Sequence, residues 1–175
     1  MNFTGPYDKQ VADQYKTARI TPLWSGWEFG HKSLLANSAA GWLALAREKQ
    51  WQLPAPLRHN LISGEWAVVI TDTAQVIQYV NSRFEQMSGY ASHEVTGRSP
   101  SMLQGNNTDQ LTRQRIKRAL EQQKPVDERL LNYRKDQTPY WCNVSIRPIF
   151  NRQKELVNFI AFEQETVLED QLVCR

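Results

Sequence analysis

Along TPYWCNVSIRPIF (138–150), Tyr140, Cys142, Val144 and Ile146 fall on one side of an extended chain, and Asn143, Ser145 and Arg147 fall on the other. A period of two marks a strand whose faces meet different surroundings, so the apolar set is expected to face a core. PVDERLLNYR (125–134) and ELVNFIAFEQETV (155–167) read as strands too, with KDQT (135–138) and NRQK (151–154) as hairpin loops. Leu130 and Asn132 share a face of the first, and Val157, Phe159, Ala161 and Glu163 share a face of the second. EWAVVITDT (65–73) and VIQYV (76–80) predict two earlier strands joined by a tight turn near Thr73–Gln75.

Between these groups the period changes. NSRFEQMSGY (81–90) predicts a short helix capped by Asn81 and ended by Gly89. SHEVTG (92–97) predicts one more helical turn. TDQLTRQRIKRALEQQ (108–123) predicts a longer helix, with Asn107 or Thr108 as its cap and Leu111, Ile116, Ala119 and Leu120 inward. Two strands, short helices, one long helix and a three-strand meander define an α+β domain, an antiparallel sheet with helices crossing one face.

The first part of the chain has a different character. HKSLLANSAAGWLALAREKQW (31–51) predicts an amphipathic helix with Leu35, Trp42, Leu45 and Ala46 near one face and Gly41 as a weak point. A helix around residues 7–19 would align Val11, Tyr15 and Ala18, and Pro22, Pro54 and Pro56 punctuate the connections. Trp24, Trp27, Trp42 and Trp51 carry too much apolar area for a solvated tail. This segment is expected to pack on its own chain in preference to a second subunit. The expected organisation is a helical cap over 1–60, the α+β domain over 61–168 and a short tail over 169–175.

Composition narrows the function. With 41% hydrophobic and 22% charged residues, the chain is of the soluble globular class. It has no run of about 18 apolar residues, and MNFTGPYDKQ lacks an apolar stretch behind a basic start. A cytoplasmic address and no membrane partner are therefore expected. The net charge is only +3 and the basic residues are scattered, which argues against a nucleic-acid partner. Arg113, Arg115, Lys117 and Arg118 read as a solvated helix face. Cys142 and Cys174 supply neither a disulfide framework nor a metal site. No phosphate loop or nucleophile–base spacing is present, so no enzymatic activity is expected.

YVNSRFEQMSGY, GRSPSMLQG, NYRKDQTPYW and FIAFEQE occur in that order within residues 65–167. Together they resemble PAS sensor domains, most closely the light-oxygen-voltage branch, which binds flavin. The resemblance implies the PAS fold, a five-stranded antiparallel sheet with helices across one face. In that branch the loop usually reads GRNCRFLQ, and its cysteine attacks the excited flavin ring. Here Ser99 stands for the asparagine, Pro100 for the cysteine and Ser101 for a phosphate-binding arginine, while Leu103 and Gln104 are retained. Proline has no nucleophile, so thiol-adduct photochemistry is unavailable at this position. The resemblance further aligns Asn132 with a flavin-edge asparagine, Cys142 with a second asparagine and Glu163 with a glutamine that reports the cofactor's state. Lys117 stands for another phosphate-contacting arginine and keeps its charge without its planar fork.

The candidate pocket is thus Pro100, Gln104, Lys117, Asn132, Cys142 and Glu163, with Asn132, Cys142 and Glu163 bordering a small apolar cavity. Cys142 alone reads as a small buried hydrophobe. For Glu163 two readings stand: it reaches solvent near the strand end or meets a backbone donor from the N-terminal helices, or it serves a ligand or signal. An ionised carboxylate only accepts hydrogen bonds, which argues against oxidised flavin in the family pose. Flavin is the one cofactor candidate, with weak binding or none expected. Haem is not expected, because His31, His59 and His93 lie off the 108–123 helix, where haem-binding relatives place their ligand. The resemblance implies a sensory module acting through protein–protein contacts, with a homodimer expected. The alternative is a cysteine-less flavin photoreceptor or redox sensor.

Overall fold

A computed structural model describes residues 40–166. The helix expected over 7–19, Leu35, Trp24, Trp27 and the tail over 169–175 lie outside the described residues. Five strands form one antiparallel sheet: β1 (Ala67–Thr71), β2 (Ile77–Val80), β3 (Val126–Tyr133), β4 (Pro139–Phe150) and β5 (Leu156–Thr166). Their order is β2-β1-β5-β4-β3, so the last strand lies between the first strand and the meander. The described helices are α1 (residues 40–48), α2 (Ala55–Ser63), α3 (Ser82–Ser88), α4 (Ser92–Val95) and α5 (Gln110–Glu121), with a 3-10 turn over Pro100–Leu103.

β1 is buried at every position, as an apolar strand must be when both its faces are covered. On the inner face, Ala67, Val69, Ile77 and Val80 pack with Phe84, Val95 and Leu103. On the outer face, Val68, Ile70, Ile149, Ile160 and Phe162 pack with Trp42 of α1 and Leu61 of α2. Leu45 and Ala46 join this outer cluster, so the apolar stripe read from the sequence is the one that packs. Gly41 has a packing reason: a Cβ there would stand 2.6 Å from the Tyr79 ring. α2 was not anticipated, because Pro54 and Pro56 read only as punctuation. Proline suits a first helical turn, whose N–H groups have no partner within the helix, and Pro56 sits there.

Asn158 ties the cap to the sheet. It is fully buried on the outer face, where its Oδ1 accepts from Trp51 Nε1 at 2.9 Å. Its Nδ2 donates to Thr71 O at 2.9 Å and to Gln78 Oε1 at 3.0 Å. Asn81 works similarly at α3. Its Oδ1 accepts from Phe84 N at 3.0 Å as the expected cap and also from Val68 N at 2.9 Å, which fixes the helix to β1.

Three local expectations are corrected. α5 is capped by Asp109, whose Oδ2 accepts from Thr112 N at 2.7 Å. Thr108 instead serves the preceding loop: its hydroxyl accepts from Gly105 N at 3.0 Å and donates to Leu131 O at 2.6 Å. With the cap one residue later, Thr112 is the buried member of the first turn and Leu111 is 64% exposed. Val157 leaves the inner face and packs with the outer cluster. The β4–β5 register passes from Ile149↔Asn158 to Phe150↔Leu156, so Val157 is the extra residue of a bulge, where strict alternation fails.

Two stability measurements follow from these contacts. Thr108→Val is expected to cost about 1–3 kcal/mol in urea denaturation by leaving Gly105 N–H and Leu131 C=O unpaired, and Thr108→Ser much less. Asn158→Ala is expected to cost a similar ~1–3 kcal/mol, with Trp51→Phe losing about 1 kcal/mol, because a buried amide then lacks a partner.

Candidate functional site

Between α5, the 3-10 turn and the inner face of the sheet lies a cavity of about 450 Å³. That size lies within the usual range for small-molecule sites, roughly 300–1,000 Å³. Its lining divides by exposure. Val69, Leu103, Leu130, Asn132, Val144, Phe159 and Glu163 are buried and form the floor. Ser99, Ser101, Gln110, Arg113, Gln114 and Lys117 are exposed and form the rim.

The turn that closes one end is locally determined. Ser99 accepts from Ser101 N as the cap, and Pro100, with its preset φ, opens the 3-10 turn. The loop then runs close over β3, because Gly105 has no side chain: a Cβ would collide with the Tyr133 ring. Thr108 pins it there. Pro100 and Gln104 thereby line the cavity.

Glu163 points into the floor and is 5% exposed, which removes the expectation that it reaches solvent near the strand end. Among the described residues it has no strong donor. Its described contact is the Cys142 thiol, which donates weakly to Oε2 at 3.9 Å. Burial pushes the Glu163 carboxyl up to about 7, and the thiol holds it back only in part. An ionised carboxylate only accepts hydrogen bonds, whereas the protonated form that burial favours both donates and accepts, so Glu163 does not oppose a flavin edge.

Asn132, 4% exposed, lines the same floor, and its Oδ1 has no hydrogen-bond partner. Across the strand pair from it stands Tyr140, whose buried hydroxyl makes no well-aligned hydrogen bond, although the Asn132 side chain lies near enough to hold its phenol back in part. Burial, and then the nearby Glu163 carboxylate, push the Tyr140 phenol up. Arg134 closes this end of the sheet. Its guanidinium stacks 4.5 Å over the Tyr140 ring, donates to Met87 O and pairs with Glu165 at 2.6 Å.

Cys142 does not line the cavity. Its partner strand positions are Leu130 and Glu165, one pleat from the Val144–Glu163 pair that forms the wall. It is fully buried, and burial, then the Glu163 charge, push its thiol up. Such a thiol stays protonated and unreactive, which fits the small-hydrophobe reading.

At the rim, Lys117 lines the cavity. Arg113, read from the sequence as part of a solvated face, lines the cavity one turn before it. The i, i+4 spacing of the two was the available signal, since such residues share a helix face. Arg115 points elsewhere, paired with Glu128 through Nε at 2.6 Å and Nη2 at 3.0 Å. Among the described residues no group of histidine, cysteine and carboxylate side chains could hold a metal, and no helix is long and apolar enough to cross a membrane.

Residues 65–166 match the PAS domain family model. Phototropin-1A of Oryza sativa subsp. japonica is 35% identical over 112 residues, which is 62% of this chain and 12% of that protein. A blue-light-activated histidine kinase of Brucella canis is 33% identical over 93 residues, 53% of this chain and 19% of the kinase. The chain thus spans less than a fifth of either curated relative. A solved light-oxygen-voltage domain, studied with a flavin analogue, is similar with a TM-score of 0.61 at 30% identity, covering 66% of this chain and 87% of that one. The five-stranded antiparallel sheet with its helices agrees with these matches, and the chain belongs to the PAS domain family.

Proposed function

We propose that this PAS domain is a sensory module that takes a flavin-class ligand reversibly and reports it through protein–protein contacts, without a covalent bond from a cysteine. The observation that carries this reading is the cavity floor. Asn132 Oδ1 is buried without a partner and Glu163 has only a weak thiol donor, although buried polar groups are nearly always satisfied. A ligand edge bearing both donors and acceptors supplies what they lack. Flavin has such an edge, and its phosphorylated tail is anionic. Asn132 and Glu163 would hold the ring edge, and Arg113 and Lys117 would attract the tail at the rim. A bound flavin would supply light absorption and redox chemistry. The chain's part is to bind, orient and exclude water. Pro100 offers no nucleophile, and the protonated Cys142 thiol lies off the cavity.

β5 is suited to pass occupancy onward. Phe159, Ala161 and Glu163 face the cavity, while Ile160 and Phe162 on the same strand pack against the cap beside Trp42 and Leu61. A shift of that strand is felt on both faces because close-packed interiors transmit strain. Leu43 of α1 (37% exposed) and Ile62 of α2 (62% exposed) offer apolar contact to a second copy of the chain. The light-responsive relatives support a sensory role.

Titration of the protein with riboflavin and with flavin mononucleotide, read by fluorescence quenching, tests the ligand class. Both are expected to bind, and failure of both sinks the proposal. Arg113→Ala and Lys117→Ala are each expected to weaken the mononucleotide by about two- to fivefold and leave riboflavin unchanged, as for exposed charge pairs. Cys142→Ser should leave any light-induced spectral change unaltered. Light scattering should give a dimer mass for the wild type and a monomer mass for Leu43→Lys/Ile62→Lys; a monomeric wild type removes the self-association part.

A further inference from the structure

Glu163 is unusual for a cavity wall. It is a nearly buried carboxyl with no N–H or O–H donor among the described residues, and the cavity it lines also holds the unpartnered amide oxygen of Asn132. The groups around it leave its charge uncompensated. From β4 come the Cys142 thiol at 3.9 Å and the Tyr140 phenol, both held protonated by burial. On β5 itself, Glu165 is taken by Arg134 at 2.6 Å. β3 brings the neutral Asn132 and Leu130, and β1 brings Val69. The 3-10 turn brings only uncharged residues, Ser99 to Gln104. Arg113 and Lys117 of α5 belong to the exposed rim, and neither is paired with Glu163. An ionised Glu163 would therefore face the cavity with neither a cation nor a strong donor in contact, at a cost of several kcal/mol for a bare buried charge.

Resting on the reading of the cavity as a ligand site, we propose that Glu163 is its specificity-determining residue: its neutral carboxyl donates a hydrogen bond to a carbonyl or ring-nitrogen acceptor of the ligand, so binding is coupled to keeping that proton. The favoured ligand is a neutral heterocycle that turns an acceptor toward Glu163 and a donor toward Asn132. A ligand offering a cation there would select the ionised form and show the opposite pH dependence. Burial holds the proton up to about pH 7. Affinity for an acceptor-bearing ligand is then flat below that value and falls about tenfold for each pH unit above it, until the carboxyl of the complex itself ionises. A glutamine at the same position donates at every pH and removes the dependence.

The test is a fluorescence-quenching titration of the full chain with riboflavin, a ring without ionisation in this range, from about two pH units below to about two above the Glu163 midpoint. The wild-type Kd is expected to rise at least about tenfold across the upper half of that range, while Glu163→Gln stays flat. Parallel profiles for the two proteins, or wild-type affinity that rises with pH, overturn the proposal and leave the ligand reading standing. If riboflavin binds neither protein at any pH, the ligand reading fails and this proposal falls with it. A ligand-independent arm uses urea midpoints. Glu163 ionises near 4.5 when unfolded and near 7 when folded, so it stabilises the fold below the first value and that stability is lost as pH rises to the second. The wild-type midpoint should therefore fall relative to that of Glu163→Gln across this window. A constant difference means Glu163 keeps no proton in the fold, which overturns the proposal whether or not riboflavin binds.

Discussion

Both faces of the sheet must be covered, and most of the architecture answers that constraint. β1 has no position that tolerates water, and β5 alternates Phe159 and Ala161 on one face with Ile160 and Phe162 on the other. One face is covered by α3, α4, the 3-10 turn and α5, the other by α1 and α2 with Trp42 and Leu61 at the contact. Apolar area removed from water on each face supplies the main driving force, at roughly 25 cal/mol per Å². α1 and α2 are therefore part of the core. Without them, Val68, Ile70, Ile149, Ile160 and Phe162 would form an exposed apolar patch of the kind that promotes association.

The buried polar groups divide into two kinds on this framework. Asn158 and Asn81 have their hydrogen bonds made by the chain, and each joins two elements that apolar packing alone would leave free to slide. Asn132 Oδ1 and Glu163 lie on the sheet face opposite Asn158, and the described residues do not complete their bonding. Satisfied groups specify the fold, and unsatisfied ones are tolerated where something else completes them. The cavity beneath α5 separates the two kinds, because it holds the helix off the sheet where Asn132 and Glu163 emerge.

Charge is arranged along the same axis. The rim carries Arg113 and Lys117 on an exposed helix face, while the floor carries a carboxyl that burial tends to neutralise. A ligand with a neutral ring and an anionic tail matches that gradient, and the reverse orientation would place an anion beside Glu163. Arg115 and Arg134 are engaged by Glu128 and Glu165, which leaves the rim charge in the hands of Arg113 and Lys117.

The sequence by itself determined the strands, their hairpins, α3 with its Asn81 cap, and which residues of β3 and β4 face inward. These are properties of local period and turn chemistry, repeated over enough residues to be unambiguous. The motif resemblance added the five-stranded PAS fold and the candidate set of Pro100, Gln104, Lys117, Asn132, Cys142 and Glu163. Tertiary structure decided the rest. Val157 changed face because a bulge breaks the alternation that sequence patterns assume. Thr108 lost the cap to Asp109 because its hydroxyl is needed 23 residues away at Leu131 O. Arg113 joined the site and Cys142 left it because cavity boundaries depend on how α5 sits over the pleats, which no single segment encodes. The protonation of Glu163 is likewise a property of its surroundings: the same carboxyl on an exposed strand would be ionised, and burial against β4, with no strong donor among the described residues, raises its midpoint to about 7.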